Sequence, residues 1–275
     1  MLRLAVRVRR ADAELVLAEL LELAPSGVEE VDIDAQTVEY AVYGPPGELP
    51  ELPDLQAAAG DALVEVSTTR VADDWSARWR EFHKPLVLGD RLSVRPPWEP
   101  PQDTALDLVI DPGRAFGTGA HATTRLCLEL LLELDVQAPG AIDLGCGSGV
   151  LAIAAAKLGW RKVLALDYDQ LAVDATLENA AVNGVSDQLE VRRFNLLREP
   201  VPPAPLVLAN LLRPLLLAWS AAIAGTTYGR IIASGLLIDE ADSVSRSFRE
   251  HGYRERTRLT GGEWAALLLE ARDRG

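Results

Sequence analysis

Apolar and polar positions change period several times along this chain. Leu2–Val8 alternates, as a strand with one covered face does. Leucines and alanines over Ala11–Leu23 recur at helical spacing until Pro25-Ser26-Gly27 stops them. Val28–Asp34 and Thr37–Tyr43 alternate again and predict a hairpin. Pro45-Pro46-Gly47 breaks the chain, Glu51–Gly60 predicts a short helix and Ala62–Thr69 a further strand. The order βαββαβ predicts a small ferredoxin-like α+β domain over residues 1–69.

A helix is expected within residues 70–85, either a linker between domains or a cap on the next sheet. Asp73–Phe82 puts Trp75, Trp79 and Phe82 on one helical face, and Lys84-Pro85 ends the run. Such a stripe reads as packing rather than as a ligand box. From residue 86 the pattern changes. Leu86–Arg95 and Ala105–Ile110 predict strands and Thr123–Leu134 a helix.

Strand and helix then alternate: Ala141–Leu144, Gly149–Leu158, Val163–Asp167, Gln170–Asn183, Leu189–Phe194, Leu206–Ala209, Pro214–Ala224, Arg230–Ser234 and Asp239–His251, with the third and fourth strands adjacent in sequence. Tyr253–Leu259 and Trp264–Leu269, joined at Gly261-Gly262, predict a last antiparallel hairpin. This alternation predicts an α/β domain over residues 86–275, with a mostly parallel sheet covered on both faces.

Composition narrows the function classes. The chain has 275 residues, 48% hydrophobic and 25% charged, which is globular composition with room for two domains. Its apolar runs, such as Pro214–Ala224, fall short of the ~20 residues of a membrane span. The start, MLRLAVRVRR, lacks a secretory h-region. Two cysteines, Cys127 and Cys146, and three dispersed histidines support neither a disulfide framework nor a metal site. A cytoplasmic protein with no membrane partner is expected. Net charge is −14, which argues against direct nucleic acid binding through a global field. Residues 1–66 hold four Arg, no Lys and fourteen Asp and Glu, a net −10 of the total. Either this is a solvated surface or it attracts a basic partner.

The chemistry-bearing residues sit where strands are expected to end. Asp143-Leu144-Gly145-Cys146-Gly147-Ser148-Gly149 joins a strand to a helix. Its glycines allow a tight turn and close backbone approach to a ligand. The spacing G-x-G-x-G departs from the dinucleotide G-x-G-x-x-G, and the Asp143 carboxylate would repel phosphate but meet a cation. S-adenosylmethionine, with an ammonium and no phosphate, fits these demands. Asp167 ends the next strand and suits two ribose hydroxyls, while Asp169 reads as a helix N-cap. Asn210 offers a donor and an acceptor for an amine or for the methionine portion. The loop Asp111–His121 contains Phe116 and Gly117, both candidates for cofactor contact. It leads into Thr123-Thr124, one hydroxyl expected to cap a helix and the other to face the ligand. His121 reads as structural rather than as a base.

Three stretches, Asp111–Thr124, Asp143–Gly149 and Ala209-Asn210-Leu211-Leu212, resemble the bacterial ribosomal protein methyltransferase PrmA family. So do the Asp74-Trp75, Trp79, Phe82 and Pro85 segment, Ser234-Gly235-Leu236 and Glu263-Trp264. The resemblance implies a ferredoxin-like docking domain, a linker and a Rossmann-like class I methyltransferase domain. It implies cofactor contacts at Thr124, Gly145, Asp167 and Asn210, to which Asp143 and Gly147 are added, with Asn210 also the catalytic candidate. The implied reaction is methylation of lysine side chains and of the N-terminal amine of the large-subunit ribosomal protein numbered eleven. A class I methyltransferase acting on lysine of another protein, or on a small molecule, is the alternative.

Overall fold

The computed structural model describes residues 2–13, 16–17, 20, 28–34, 36–44, 49–50, 52–70, 84–111, 121–136, 140–223 and 228–272. The chain divides into two compact units, Met1–Phe82 and His83–Gly275. The helix expected over Asp73–Phe82 lies outside the described residues.

In the first unit, β1 (Leu2–Arg9), β2 (Glu29–Asp32), β3 (Thr37–Gly44) and β4 (Leu63–Arg70) form an antiparallel sheet of order β2-β3-β1-β4. Ala13, Val16, Leu17 and Leu20 are helical, and α1 (Leu52–Ala59) precedes β4. Leu4, Val6 and Val8 of β1 point to one face, where they pack with Val38, Tyr40, Val42 and Leu55. On the other face Glu39 is buried and takes hydrogen bonds from Arg3 and Arg7, whose second partner is Glu65.

The second unit opens with β5 (Leu86–Leu88), β6 (Leu92–Arg95) and β7 (Leu106–Val109) in a three-stranded sheet. The single strand expected over Leu86–Arg95 is therefore two. Gly89, at φ +60°, turns the chain back on itself, and β5 and β6 pair antiparallel. The seven-stranded sheet follows. It is built from β8 (Ala141–Leu144), β9 (Val163–Asp167), β10 (Leu189–Arg193), β11 (Leu206–Asn210), β12 (Arg230–Leu237), β13 (Tyr253–Gly261) and β14 (Trp264–Ala271), in the order β10-β9-β8-β11-β12-β14-β13.

The first five strands in that order are parallel. β14 is antiparallel to both β12 and β13. The expected terminal hairpin thus places only one strand against the sheet direction, inserted beside β12. Side chains alternate between two cores. Ala141, Val163, Leu206, Leu208 and Ile232 join α2 (Ala122–Leu132) and α3 (Val150–Lys157) on one side. Ile142, Leu144, Val207, Ala209 and Ile231 join α5 (Arg213–Ala222) and α6 (Ile238–Glu250) on the other. α4 (Gln170–Val182) links β9 to β10. Burial on both faces explains why these strands are apolar without alternation in sequence.

Candidate functional site

Strand ends at the C-terminal edge of an open parallel sheet are where such sheets bind ligands, and the candidate residues gather there. Between β8 and α3, Gly145, Gly147 and Gly149 adopt φ of +76°, +53° and +80°, a region that side chains other than glycine enter at a cost. The turn is pinned from several sides. Gly145 and Cys146 donate to the Leu166 carbonyl at 2.8 and 3.0 Å. Gly147 donates to Asp167 Oδ2 at 2.9 Å, and its carbonyl accepts from Thr176 Oγ1 at 3.0 Å.

The two carboxylates at this edge differ. Asp167 is half-buried, and its Oδ1 accepts from Asp169 N–H at 3.0 Å. Each of its oxygens has one backbone partner, which leaves acceptor capacity on both. Asp143 is 1% exposed beneath the start of α3, where Oδ2 accepts from Ala152 N–H at 2.9 Å. Its Oδ1 is buried with no partner among the described residues. Burial raises this carboxyl to about 7; the Ala152 bond opposes the rise and the Asp167 charge adds to it. An orphaned buried oxygen next to a glycine cradle fits a cationic ligand group or a water that relays to one.

Across the sheet, Asn210 is the last residue of β11, and its Nδ2 lies 3.4 Å from Thr124 Oγ1. Thr124 is fully buried in the first turn of α2. The expected threonine cap is corrected here: His121 caps α2 by accepting from Thr123 N–H. Its ring stacks edge-on against Trp264 at 4.8 Å, and burial holds its pKa below the usual value. A neutral ring that already accepts from a backbone amide suits a structural role. Asp169 caps α4 through Leu171 N–H, as its position suggested.

The structure brings Asp143, Gly145, Gly147 and Asp167 together on one side and Thr124 with Asn210 on the other. Leu211 joins the two, its side chain packed over Gly145 where a Cβ would otherwise stand. Phe116 and Gly117 lie outside the described residues. Sequence reasoning missed Asn179 on α4, whose Nδ2 donates to the Ser148 carbonyl and whose Oδ1 accepts from Asp111 N–H. Gln170, Asp174, Thr176 and Glu178 make the same helical run polar, so Asn179 does not stand out in the sequence. Sequence reasoning also missed Tyr168, exposed beside Asp167 with the Arg193 guanidinium 5.1 Å above its ring.

The sheet order and the glycine turn define the C-terminal unit as a class I, Rossmann-like methyltransferase domain. A crystal structure of ribosomal protein L11 methylase from Lactobacillus delbrueckii subsp. bulgaricus matches it with a TM-score of 0.61 and 28% identity, covering 68% of this chain and 98% of that one. The profile of the family described as ribosomal protein L11 methyltransferase (PrmA) matches residues 3–272, and the chain belongs to that family. A ribosomal protein L11 methyltransferase from Synechococcus sp. (strain RCC307) is 42% identical over 207 residues, 72% of this chain and 69% of that protein. One from Alkaliphilus oremlandii (strain OhILAs) is 36% identical over 213 residues, 76% of this chain and 68% of that protein. Among the described residues, no helix is long and apolar enough to cross a membrane and no group of His, Cys, Asp and Glu is suited to a metal ion.

Proposed function

We propose that this chain is an S-adenosylmethionine-dependent methyltransferase that modifies lysine side chains and the N-terminal amine of ribosomal protein L11. The observation that carries the reading is the pairing at one sheet edge of a glycine turn bound to Asp167 with the Asn210–Thr124 contact. S-adenosylmethionine, when bound, supplies a methyl group on a sulfonium, open to in-line displacement by an uncharged amine. Asp143, Gly145, Gly147 and Asp167 would hold it, with the Asp143 orphan oxygen toward its cationic end and the Asp167 carboxylate toward its hydroxyls. Thr124, Phe116 and Gly117 complete the proposed contacts.

Asn210 would orient the acceptor. With Nδ2 directed at Thr124, its Oδ1 is left to accept an N–H from the incoming amine. Lysine must first lose its proton. From an ordinary pKa near 10.4 to pH 7 this costs about 5 kcal/mol, which a desolvated pocket reduces. Among the described residues no side chain is placed as a dedicated base: His121 is committed to its helix, and desolvation lowers the amine's pKa so that its proton passes to solvent before transfer.

The first unit, with the ferredoxin-like order β2-β3-β1-β4, would dock the substrate protein. The four arginines of residues 1–66 are engaged within the unit: Arg3 on Glu39, Arg7 on Glu39 and Glu65, Arg9 on Asp12, and Arg10 on the Asp34 carbonyl. The acidic excess is left for a basic partner, free or before assembly, without direct nucleic acid contact and in the cytoplasm. Incubating the enzyme with methyl-labelled cofactor and purified L11 tests the reading. Label on L11, weakened by raised salt and lost in Asn210→Ala, is expected. Label on another protein or a small molecule, with L11 untouched, would overturn it.

A further inference from the structure

The segment Ser234-Gly235 is not among the contacts proposed above, yet it marks a register shift in the central sheet. Ala233 pairs with Leu267, but Leu236 pairs with Ala265, so β12 carries one residue more than β14 between these pairs. This is a β-bulge, a device that re-aims side chains and is frequent beside functional sites. It falls directly against the tip of β11, where Asn210 stands opposite Ser234 in the parallel ladder.

Each residue of the bulge grips that tip. The Ser234 carbonyl accepts from Leu211 N–H at 3.0 Å. Its buried Oγ donates to the Ala265 carbonyl at 3.0 Å and lies 3.4 Å from the Thr123 carbonyl. One side chain thus ties β12 to β14 and to the first turn of α2, which carries Thr124. Gly235 sits at φ +82°, and a Cβ there would stand 2.5 Å from the Leu211 carbonyl oxygen and 2.8 Å from its carbon. The absent side chain of Gly145 makes room for the side chain of the same Leu211. Two glycines, one in the turn after β8 and one in β12, therefore close on one residue, adjacent to Asn210.

We propose that the Ser234–Gly235 bulge is a positioning device for the acceptor amine: it fixes the β11 tip and the start of α2 so that Asn210 and Thr124 meet in one geometry. This rests on the methyltransferase reading. The Asn210–Thr124 contact, at 3.4 Å, is too long to hold the carboxamide unaided. In-line transfer is sensitive to misplacement of about 1 Å, which can cost on the order of a hundredfold in rate. Asp143, Gly147 and Asp167 are pinned by other partners, so of the cofactor contacts proposed above the bulge reaches Thr124 first, and its larger effect falls on the acceptor that Asn210 orients.

The test compares Ser234→Ala with a remote destabilising control, Val163→Ala at the far end of β9, in the full chain. For Ser234→Ala, kcat on L11 should fall about tenfold or more while cofactor affinity, by calorimetry, stays within about threefold. The side-chain amide resonances of Asn210 in the cofactor-free protein should shift or broaden. Val163→Ala should lower the melting temperature with kcat and those resonances unchanged. Gly235→Ala, if it folds, should exceed Ser234→Ala in the same direction. The proposal is overturned if Ser234→Ala loses only thermal stability, with kcat and the Asn210 resonances as in the parent. Absence of L11 methylation by the parent chain would instead strike at the methyltransferase reading, and the resonance comparison would still decide whether the bulge positions Asn210.

Discussion

The two edges of the seven-stranded sheet share their strands and differ in almost everything else. At the C-terminal edge stand three left-handed glycines, a buried carboxylate with an unpartnered oxygen and a half-buried one bound only to backbone amides. At the N-terminal edge lies a cleft of about 400 Å³, lined by Asp135, Trp160, Arg230, Arg254 and Glu270 among others. Two of its charged groups pair at the surface, Arg254 with Glu270, and Arg230 reaches the Asp135 backbone carbonyl. Among the described residues, a cleft thus opens at one edge, while the buried carboxylate with an unpartnered oxygen stands at the other. A site is marked here by polar groups held in costly states, because folding tolerates such states only where the surroundings impose them.

The sharpest way to break this contrast is at Gly145. In Gly145→Val the new Cβ would collide with Leu211 Cδ2, and a β-branched residue would have to hold φ +76°. Strain and overpacking together cost about 5 kcal/mol, a large part of a domain's stability. Urea unfolding should show that loss, and calorimetry should detect no cofactor binding. A variant that binds normally would mean the turn is not a cradle.

Asp143 gives the next largest effect, and it depends on pH. Its carboxyl is raised from 3.8 to about 7, chiefly by burial, so the folded chain holds a proton that the unfolded chain releases. Stability from this group is complete below about pH 4 and is lost as pH rises through about 7, with an upper bound near 4 kcal/mol. Asp143→Asn removes this contribution. The difference in urea midpoint between parent and variant should therefore change steadily across that window; a constant difference would mean the carboxyl is charged throughout. A cation beside Oδ1 favours the charged form, so cofactor affinity should rise over the same range in the parent and stay level in the variant.

Asp167→Ala is a smaller step. It strips a carboxylate acceptor from Gly147 N–H and Asp169 N–H, and from the two hydroxyls proposed for it. Bonds to a charged group contribute about 1.5–3 kcal/mol, so the cofactor Kd should rise roughly 10- to 100-fold. Unchanged affinity would remove Asp167 from the site.

How much of this edge was legible depends on how local each feature is. The glycine turn, Asp167, Asp169 and Asn210 could be found because a change of hydrophobic period marks where a strand stops, and ligand edges are strand ends. The Gly89 turn was missed because apolar residues on both sides blend into one run. His121 displaced Thr123 as the α2 cap because an imidazole nitrogen can accept as a hydroxyl does, outside the usual cap preferences. The Ser234–Gly235 bulge is defined only against β14, some thirty residues later, so no local pattern carries it. The Asn179 bridge likewise needs the fold, since its partners are Ser148 and Asp111. The N-terminal cleft had no signature, because its lining is drawn from several separate strand and helix ends, from Leu134 to Ala271.

That last point yields the smallest expected effect and the cleanest control. Arg254 Nη2 lies 3.3 Å from Glu270 Oε2, with the arginine side chain 55% exposed and the glutamate 25%. An exposed pair of this kind contributes about 0–1 kcal/mol, because water already screens both charges and the side chains lose freedom in meeting. Arg254→Ala should therefore move stability by about 0.5 kcal/mol or less. Cofactor affinity and the methylation rate should stay within about twofold, which corresponds to roughly 0.4 kcal/mol. Melting curves at low and high salt separate the two parts of any change: a Coulombic loss shrinks as salt is added, whereas a loss from the packed arginine stem persists. A tenfold fall in cofactor affinity or turnover would show that the two edges communicate through β12 and β14, and the division of labour between them would have to be abandoned.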